Sequence, residues 1–285
     1  MLAPGHTLCA GCGIGVVMSL LKKVCPKDVI VSMATGCLEV CTTAYPRSAW
    51  ECPAIHVAFE CTSAVASGIE AAVRKLGKPW KVLAIAGDGG TFDIGFQALS
   101  GMLERGHKVT QICLDNEAYM NTGIQRSGGT PKYAETTTSP AGKVEPGKPR
   151  EKKPLVDIVA AHRIPYAATA SPGYPSDLVE KFRKALELQP SFLHILIPCP
   201  TGWRFDPSQT VRIARLAVDC GIWPLYEIEN QVLRITHRPS FKGLEEYLGS
   251  QGRFKHLKPE QVEEIRNRIS QEWERLEKLE KLSIS

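Results

Sequence analysis

Long apolar runs are missing from this chain. None approaches the ~20 residues that a membrane-crossing helix needs, and the opening MLAPGHTLCAGCG lacks the basic, apolar and small-residue zones of a secretory leader. The expectation is a cytoplasmic protein with no membrane partner. Basic runs interleaved with aromatics are missing too, and the net charge is only +5, so nucleic acid is not an expected partner. No glycine-rich turn continues into Gly-Lys-Ser/Thr, which removes a Walker loop. There is no second C-x-x-C and no close histidine pair, so no single segment spells out a zinc site. Internal repeats and low-complexity tracts are also absent. What remains, at 285 residues with 43% hydrophobic and 23% charged, is the composition of one large α/β domain or of a domain with a tail.

The most informative stretch is Lys81 to Gly123. The apolar run Val82–Ala86 predicts a strand that halts at Gly87-Asp88-Gly89-Gly90. A helix is expected from about Asp93 to Glu104, with Phe96, Leu99 and Leu103 on one face. A second strand, Val109–Leu114, ends at Asp115-Asn116. Ligands of open parallel sheets sit beyond the carboxyl ends of the strands, so Asp88 and Asn116 are expected to share a crevice although 28 positions separate them. Gly89 and Gly90 let backbone approach an anion, and carboxylate and amide oxygens suit Mg²⁺. A Rossmann turn is a poorer match, because Phe92 stands where its third glycine belongs. A purely structural glycine turn stays open at this point.

Gly87-Asp88-Gly89, 26 further residues and then Asn116 resemble the thiamine diphosphate motif. Continued as Asp115-Asn116-Glu117-Ala118-Tyr119-Met120-Asn121-Thr122-Gly123, the stretch is most similar to the β subunits of 2-oxoacid:ferredoxin oxidoreductases, the pyruvate branch above all. That resemblance implies a diphosphate-binding α/β fold, a mostly parallel sheet with helices on both faces. It implies Mg²⁺ held by Asp88, Asn116 and the carbonyl of Ala118. Gly87, Gly89 and Gly90 would cradle the diphosphate, with Glu117, Tyr119 and Met120 along the cofactor and Asn121 beside the thiazolium as the catalytic residue.

Ten cysteines are many for a chain expected to stay reduced, and metal or cluster ligation is the leading reading for some of them. Cys9-Ala10-Gly11-Cys12 alone is compatible with zinc, a redox dithiol or a cluster. Cys37 and Cys199 each follow an apolar run, Val29–Val31 and Phe192–Ile197, and so fall on the same rim as Gly87 and Asn116. The set Cys9, Cys12, Cys37 and Cys199, with its Pro198-Cys199-Pro200 context, is similar to the family's [4Fe–4S] ligands. The resemblance also has Cys37 bordering both cofactor and cluster. Cys41, a helical turn beyond Cys37, is the alternative ligand. Cys25, Cys52, Cys61, Cys113 and Cys220 read as small buried hydrophobes, and His56, inside a strand, as a core histidine.

Residues 123–154 lose all periodicity, and Lys143–Lys153 reads as a surface excursion or an arm on a partner. Regular elements resume with helices at Leu155–Ala161, Pro175–Leu188 and Thr210–Cys220, and strands at Tyr166–Thr169 and Phe192–Ile197. Leu225–Glu229 and Leu233–Thr236 form a hairpin around Asn230-Gln231. The charged helix Pro259–Leu282 is expected on the surface or against a neighbouring chain. The organisation expected is a cofactor domain over 1–229 and an extension over 230–285.

The resemblance implies oxidative decarboxylation of a 2-oxoacid, most simply pyruvate to acetyl-CoA and CO₂, with electrons leaving through the cluster to ferredoxin and the acyl group to coenzyme A. No glutamate-bearing pyrimidine domain, ferredoxin-like cluster motif or coenzyme A site is visible, so a pyrimidine-binding α subunit, a γ subunit and a ferredoxin-like δ subunit are expected partners. A relative acting on oxalate or a branched 2-oxoacid, a cluster-free thiamine enzyme, and a non-enzymatic iron–sulfur scaffold are the other readings.

Overall fold

Side chains of a strand alternate between two faces, and that alternation sorts the core of this protein. The computed structural model describes residues 1–284. Its elements begin α1 (Gly13–Val24), β1 (Val29–Ala34), α2 (Cys37–Thr42), β2 (Ala54–Val57), α3 (Thr62–Lys75), β3 (Lys81–Gly87), a π-helical turn (Gly89–Ile94), α4 (Phe96–Glu104) and β4 (Val109–Asp115). After a long irregular segment come α5 (Leu155–Ala160), β5 (Tyr166–Ala170), α6 (Pro175–Glu187), β6 (Ser191–Leu196), α7 (Pro200–Trp203), α8 (Thr210–Asp219), β7 (Leu225–Glu229), β8 (Val232–His237), α9 (Leu244–Gly249) and α10 (Pro259–Ile284).

The strands form one eight-stranded sheet in the order β2-β1-β3-β4-β6-β5-β7-β8. The pairings from β2 across to β5 are parallel, and β7 and β8 close the far edge antiparallel. The predicted mostly parallel α/β architecture is therefore what the chain adopts. Leu83, Ile85, Ile112, Leu114, Leu193 and Ile195 face the layer built by α1 and α6. Their alternates Val82, Ala84, Cys113 and Phe192 face α3, α4 and α5. Residues buried on both faces explain why these strands read as continuous apolar runs.

The expected hairpin is present. Glu229 pairs with Val232, and Asn230 and Gln231 turn the chain at φ +49° and +70°, the positive values that suit a tight two-residue hairpin. The boundary drawn at 229/230 falls inside this turn. Among the described residues no helix is long and apolar enough to cross a membrane.

Two expectations are corrected. The helix of the central unit starts earlier than Asp93, as a π-helical turn opening at Gly89 directly after β3. The long helix α10 lies on the surface, as expected, with one face docked on its own domain: Ile269, Trp273 and Leu276 are buried, and the Trp273 indole N–H donates to the Gly221 carbonyl at 2.9 Å. Val262 and Ile265 pack against the same cluster. His56 is not in the core. Strand β2 is the edge strand, and the His56 side chain is 45% exposed, held between Thr35 Oγ1 at 2.7 Å and Glu39 Oε1 at 3.2 Å.

Candidate cofactor site

Strands β3 and β4 run parallel in register, with Gly87 opposite Leu114. Each therefore delivers its polar end, Asp88 or Asn116, to the same rim. Asp88 Oδ1 and the Ala118 carbonyl oxygen lie 3.1 and 2.9 Å from the end of the Asn116 amide. With its nitrogen turned this way, the amide donates to both. With its oxygen turned this way, three oxygens face one another, and a cation reconciles them. Asp88 is fully buried. Burial, and then the neighbouring Asp115 carboxylate, push its pKa well above the ordinary range, while a hydrogen bond from Ser127 Oγ opposes the shift. A buried carboxylate short of positive charge, facing two further oxygens, is a donor set that fits a hard divalent ion.

The glycines at the rim are fixed by close approach. A Cβ on Gly89 would run into the Tyr119 ring, whose hydroxyl donates to Asp93 Oδ2 at 3.1 Å. A Cβ on Gly129 would stand 2.9 Å from Asp115 Oδ1 and 3.0 Å from the Asp88 Cβ. Gly87 and Asn116 share a small cavity of ≈ 30 Å³ with Gly36, Cys37 and Leu38, so Cys37 borders the same crevice. Gly90 lies beside Phe59. Met120 is half-buried against Gly202, and Asn121 is exposed in the turn closed by the Tyr119–Gln125 pairing.

Behind the rim lies a buried ionic network that sequence reasoning did not find. Glu117 adopts φ +68°, and its carboxylate receives Lys152 Nζ at 2.6 Å and Arg253 Nη2 at 2.6 Å. Lys152 also reaches Asp115 Oδ2 at 2.9 Å, and His194 Nε2 lies 2.7 Å from the same oxygen. Burial alone would raise the Asp115 pKa, but Lys152 and His194 outweigh it and hold the carboxyl at about 2. Lys152 belongs to the segment expected at the surface. Although Lys143, Val144 and Glu145 are exposed, Lys148 is buried and Lys152 and Lys153 turn inward, Lys153 donating to the Phe92 carbonyl. The only signal in the sequence was the density of lysines in a segment without periodicity.

The cysteines converge less completely. The Cys9–Cys12 loop docks on the segment around Cys199: the Gly13 amide donates to the Pro198 carbonyl at 3.2 Å, and Thr210 Oγ1 donates to the Gly11 carbonyl at 2.5 Å. Burial, followed by the nearby thiols of Cys199, Cys12, Cys41 and Cys9, pushes the Cys37 thiol up to about 12. Burial likewise pushes Cys12 up to about 11, Cys199, Cys9 and Cys41 adding to it. The four predicted thiols and Cys41 thus occupy one neighbourhood. Among the described residues, however, no three His, Cys, Asp or Glu side chains stand together as a metal-holding group. Of the other cysteines, Cys113 and Cys220 are buried as expected, while Cys25, Cys52 and Cys61 are only half-buried.

A larger cavity of ≈ 480 Å³ lies elsewhere, beneath α10 and lined among others by Tyr133, Asp157, Trp223 and Arg275. Glu117, Lys152, Lys153 and His194 line it as well.

A family model described as the C-terminal TPP-binding domain of thiamine pyrophosphate enzymes matches residues 34–195. The chain is similar to pyruvate synthase subunit PorB of Methanothermobacter marburgensis, 56% identical over 271 residues covering 94% of each chain. It is similar to ketoisovalerate oxidoreductase subunit VorB of Pyrococcus abyssi, 47% identical over 285 residues covering 96% of this chain and 92% of the other. Its fold is like that of a 2-oxoglutarate:ferredoxin oxidoreductase from Magnetococcus marinus, with TM-score 0.62 and 20% identity over 88% of this chain and 90% of that one.

Proposed function

Because the chain belongs to the family of thiamine-pyrophosphate-dependent 2-oxoacid:ferredoxin oxidoreductase β subunits, we propose that it binds thiamine diphosphate through Mg²⁺ and serves the oxidative decarboxylation of pyruvate. The observation that carries this reading is the meeting of Asp88 Oδ1, the Asn116 amide and the Ala118 carbonyl within 3.1 Å at the ends of two adjacent parallel strands. These three groups hold the ion. Gly87, Gly89 and Gly90 leave the rim free of side chains for a diphosphate; Tyr119 and Met120 would flank it, and Glu117 would contribute through its backbone, its carboxylate being taken by Lys152 and Arg253 behind the rim. Asn121, exposed on its turn, is free to meet substrate and thiazolium. When bound, thiamine diphosphate supplies a nucleophilic carbon and an electron sink for loss of CO₂.

Cys9, Cys12, Cys37 and Cys199 hold a [4Fe–4S] cluster, a one-electron acceptor beside the crevice. Their shared neighbourhood supports this. Coenzyme A takes the acyl group and ferredoxin the electrons. The glutamate that activates the aminopyrimidine comes from a pyrimidine-binding α subunit, and γ and ferredoxin-like δ subunits complete a cytoplasmic complex. Pyruvate is favoured over a branched 2-oxoacid because the PorB relatives range from 47% to 56% identity and VorB stands at 47%.

The test is the anaerobically purified complex, assayed with pyruvate, 2-oxoisovalerate, 2-oxoglutarate and oxalate in the presence of coenzyme A and oxidised ferredoxin. Fastest turnover with pyruvate is expected. A preference for 2-oxoisovalerate would move the assignment to the branched-chain activity, and an iron-free active complex would remove the cluster.

A further inference from the structure

The metal-bearing turn does not hold its own shape. Glu117 sits between Asn116 and Ala118 with its backbone in the left-handed region, φ +68°, where a residue with a long side chain needs support from its surroundings. Two supports come from far along the chain. The Arg253 guanidinium is only 3% exposed; it donates to Glu117 Oε2 at 2.6 Å and, through Nε, to Gln251 Oε1 at 2.9 Å. Its Cζ lies over the Trp203 ring, 3.8 Å from the ring centroid. The Trp203 indole N–H in turn donates to the Asn116 backbone carbonyl at 2.8 Å. One cation and one aromatic, stacked on each other, thus grip the two residues between which the turn reverses.

The same unit reaches the proposed cluster ligands. Trp203 ends α7, the short helix that starts directly after Cys199, and the Gly202 amide donates to Cys199 Sγ at 3.3 Å. Nothing in the proposed chemistry uses Arg253 or Trp203.

We infer that Arg253 and Trp203 are positioning residues for the divalent ion: they fix the Asn116–Glu117–Ala118 turn so that the amide and carbonyl oxygens meet Asp88 at one point. The inference rests on the cofactor reading above. Residues that orient ligands in this indirect way change metal affinity by about 10- to 100-fold when removed.

The experiment is calorimetric titration of Mg²⁺ into the complete complex, stripped of metal and held in excess thiamine diphosphate. Arg253→Met removes the charge and the stack. Trp203→Phe removes only the indole N–H and keeps an aromatic in the core, so it remains informative if Arg253→Met fails to fold. Lys181→Met is the control: Lys181 is as buried, pairs with Asp177 at 2.7 Å, and lies between α6 and β8, away from the turn. The expected result is at least tenfold weaker Mg²⁺ binding for Arg253→Met and Trp203→Phe, and unchanged binding for Lys181→Met despite a lower melting temperature. Binding within about threefold of wild type in Trp203→Phe would overturn the inference. If the unmodified complex itself binds no Mg²⁺ with thiamine diphosphate, the cofactor reading fails instead.

Discussion

His194 Nε2 and Asp115 Oδ2 stand 2.7 Å apart where β4 and β6 end side by side. Neither residue is a proposed ligand. Their contact, with Lys152 on the same oxygen, neutralises a buried carboxylate one position before Asn116 and leaves Asp88 as the group short of countercharge. The division of labour is electrostatic: one carboxylate is satisfied by the protein, and the other is the one the proposed ion would satisfy.

Asp88→Ala is therefore expected to abolish Mg²⁺-dependent binding of thiamine diphosphate, by 100-fold or more in affinity, while leaving the fold intact. Chelation of the wild-type complex should release the cofactor, and Mg²⁺ should restore it. Retention of tight binding by the alanine variant, read by calorimetry, would falsify the proposed site.

The thiols give a comparison within one neighbourhood. Cys37→Ser and Cys199→Ser should lose the [4Fe–4S] signal in electron paramagnetic resonance of the dithionite-reduced complex. Cys41→Ser should keep it, because Cys41 lies outside the proposed ligand set although it shares the neighbourhood of Cys37. Loss of signal in Cys41→Ser with retention in Cys37→Ser would exchange their roles.

Lys148 provides a pH test of the loop's burial. The side chain is 2% exposed, and Nζ donates to the Thr130 carbonyl. Burial, reinforced by Lys152 and Arg126, brings its pKa down from 10.5 to about 8. Below pH 8 folded and unfolded chains both carry the proton, and the penalty for burying the charge is fully present. Between pH 8 and 10.5 the unfolded chain binds more protons, so this residue's contribution to stability rises with pH. Chemical denaturation at pH 7 and pH 9.5 should show the stability difference between Lys148→Met and wild type shifting toward wild type at the higher pH, by on the order of 1 kcal/mol. A pH-independent difference would place the ammonium in water.

Trp273→Ala should cost about 3–5 kcal/mol by undocking α10 from Gly221 and Phe241, against which the indole packs. Urea denaturation of the complex's isolated β subunit, if it folds alone, or thermal unfolding of the whole complex, reads this directly. An unchanged midpoint would mean that a neighbouring chain, rather than its own domain, holds this helix.

Local pattern was enough to read the strand–helix–strand unit from Lys81 to Gly123, the cysteine pair and the strands that carry Cys37 and Cys199. Each is written in consecutive residues: an apolar run, a glycine stop, a polar end. The rule that parallel strands present their carboxyl ends to one rim then brought Asp88 and Asn116 together before any coordinates. The exposure of His56 and the docked face of α10 are illegible in the sequence for a shared reason. A strand's exposure depends on whether it lies at the sheet edge, and a charged helix's burial on a few large residues finding a surface, which neighbours in sequence do not encode.

By itself, then, the sequence determined the parallel α/β scaffold and the oxygen donors at its rim, because periodicity and glycine placement are properties of adjacent residues. Only the tertiary structure decided what holds those donors in place. Lys152, His194, Trp203 and Arg253 lie 35 to 136 positions from the residues they grip, and a buried charge selects its partner by distance in space.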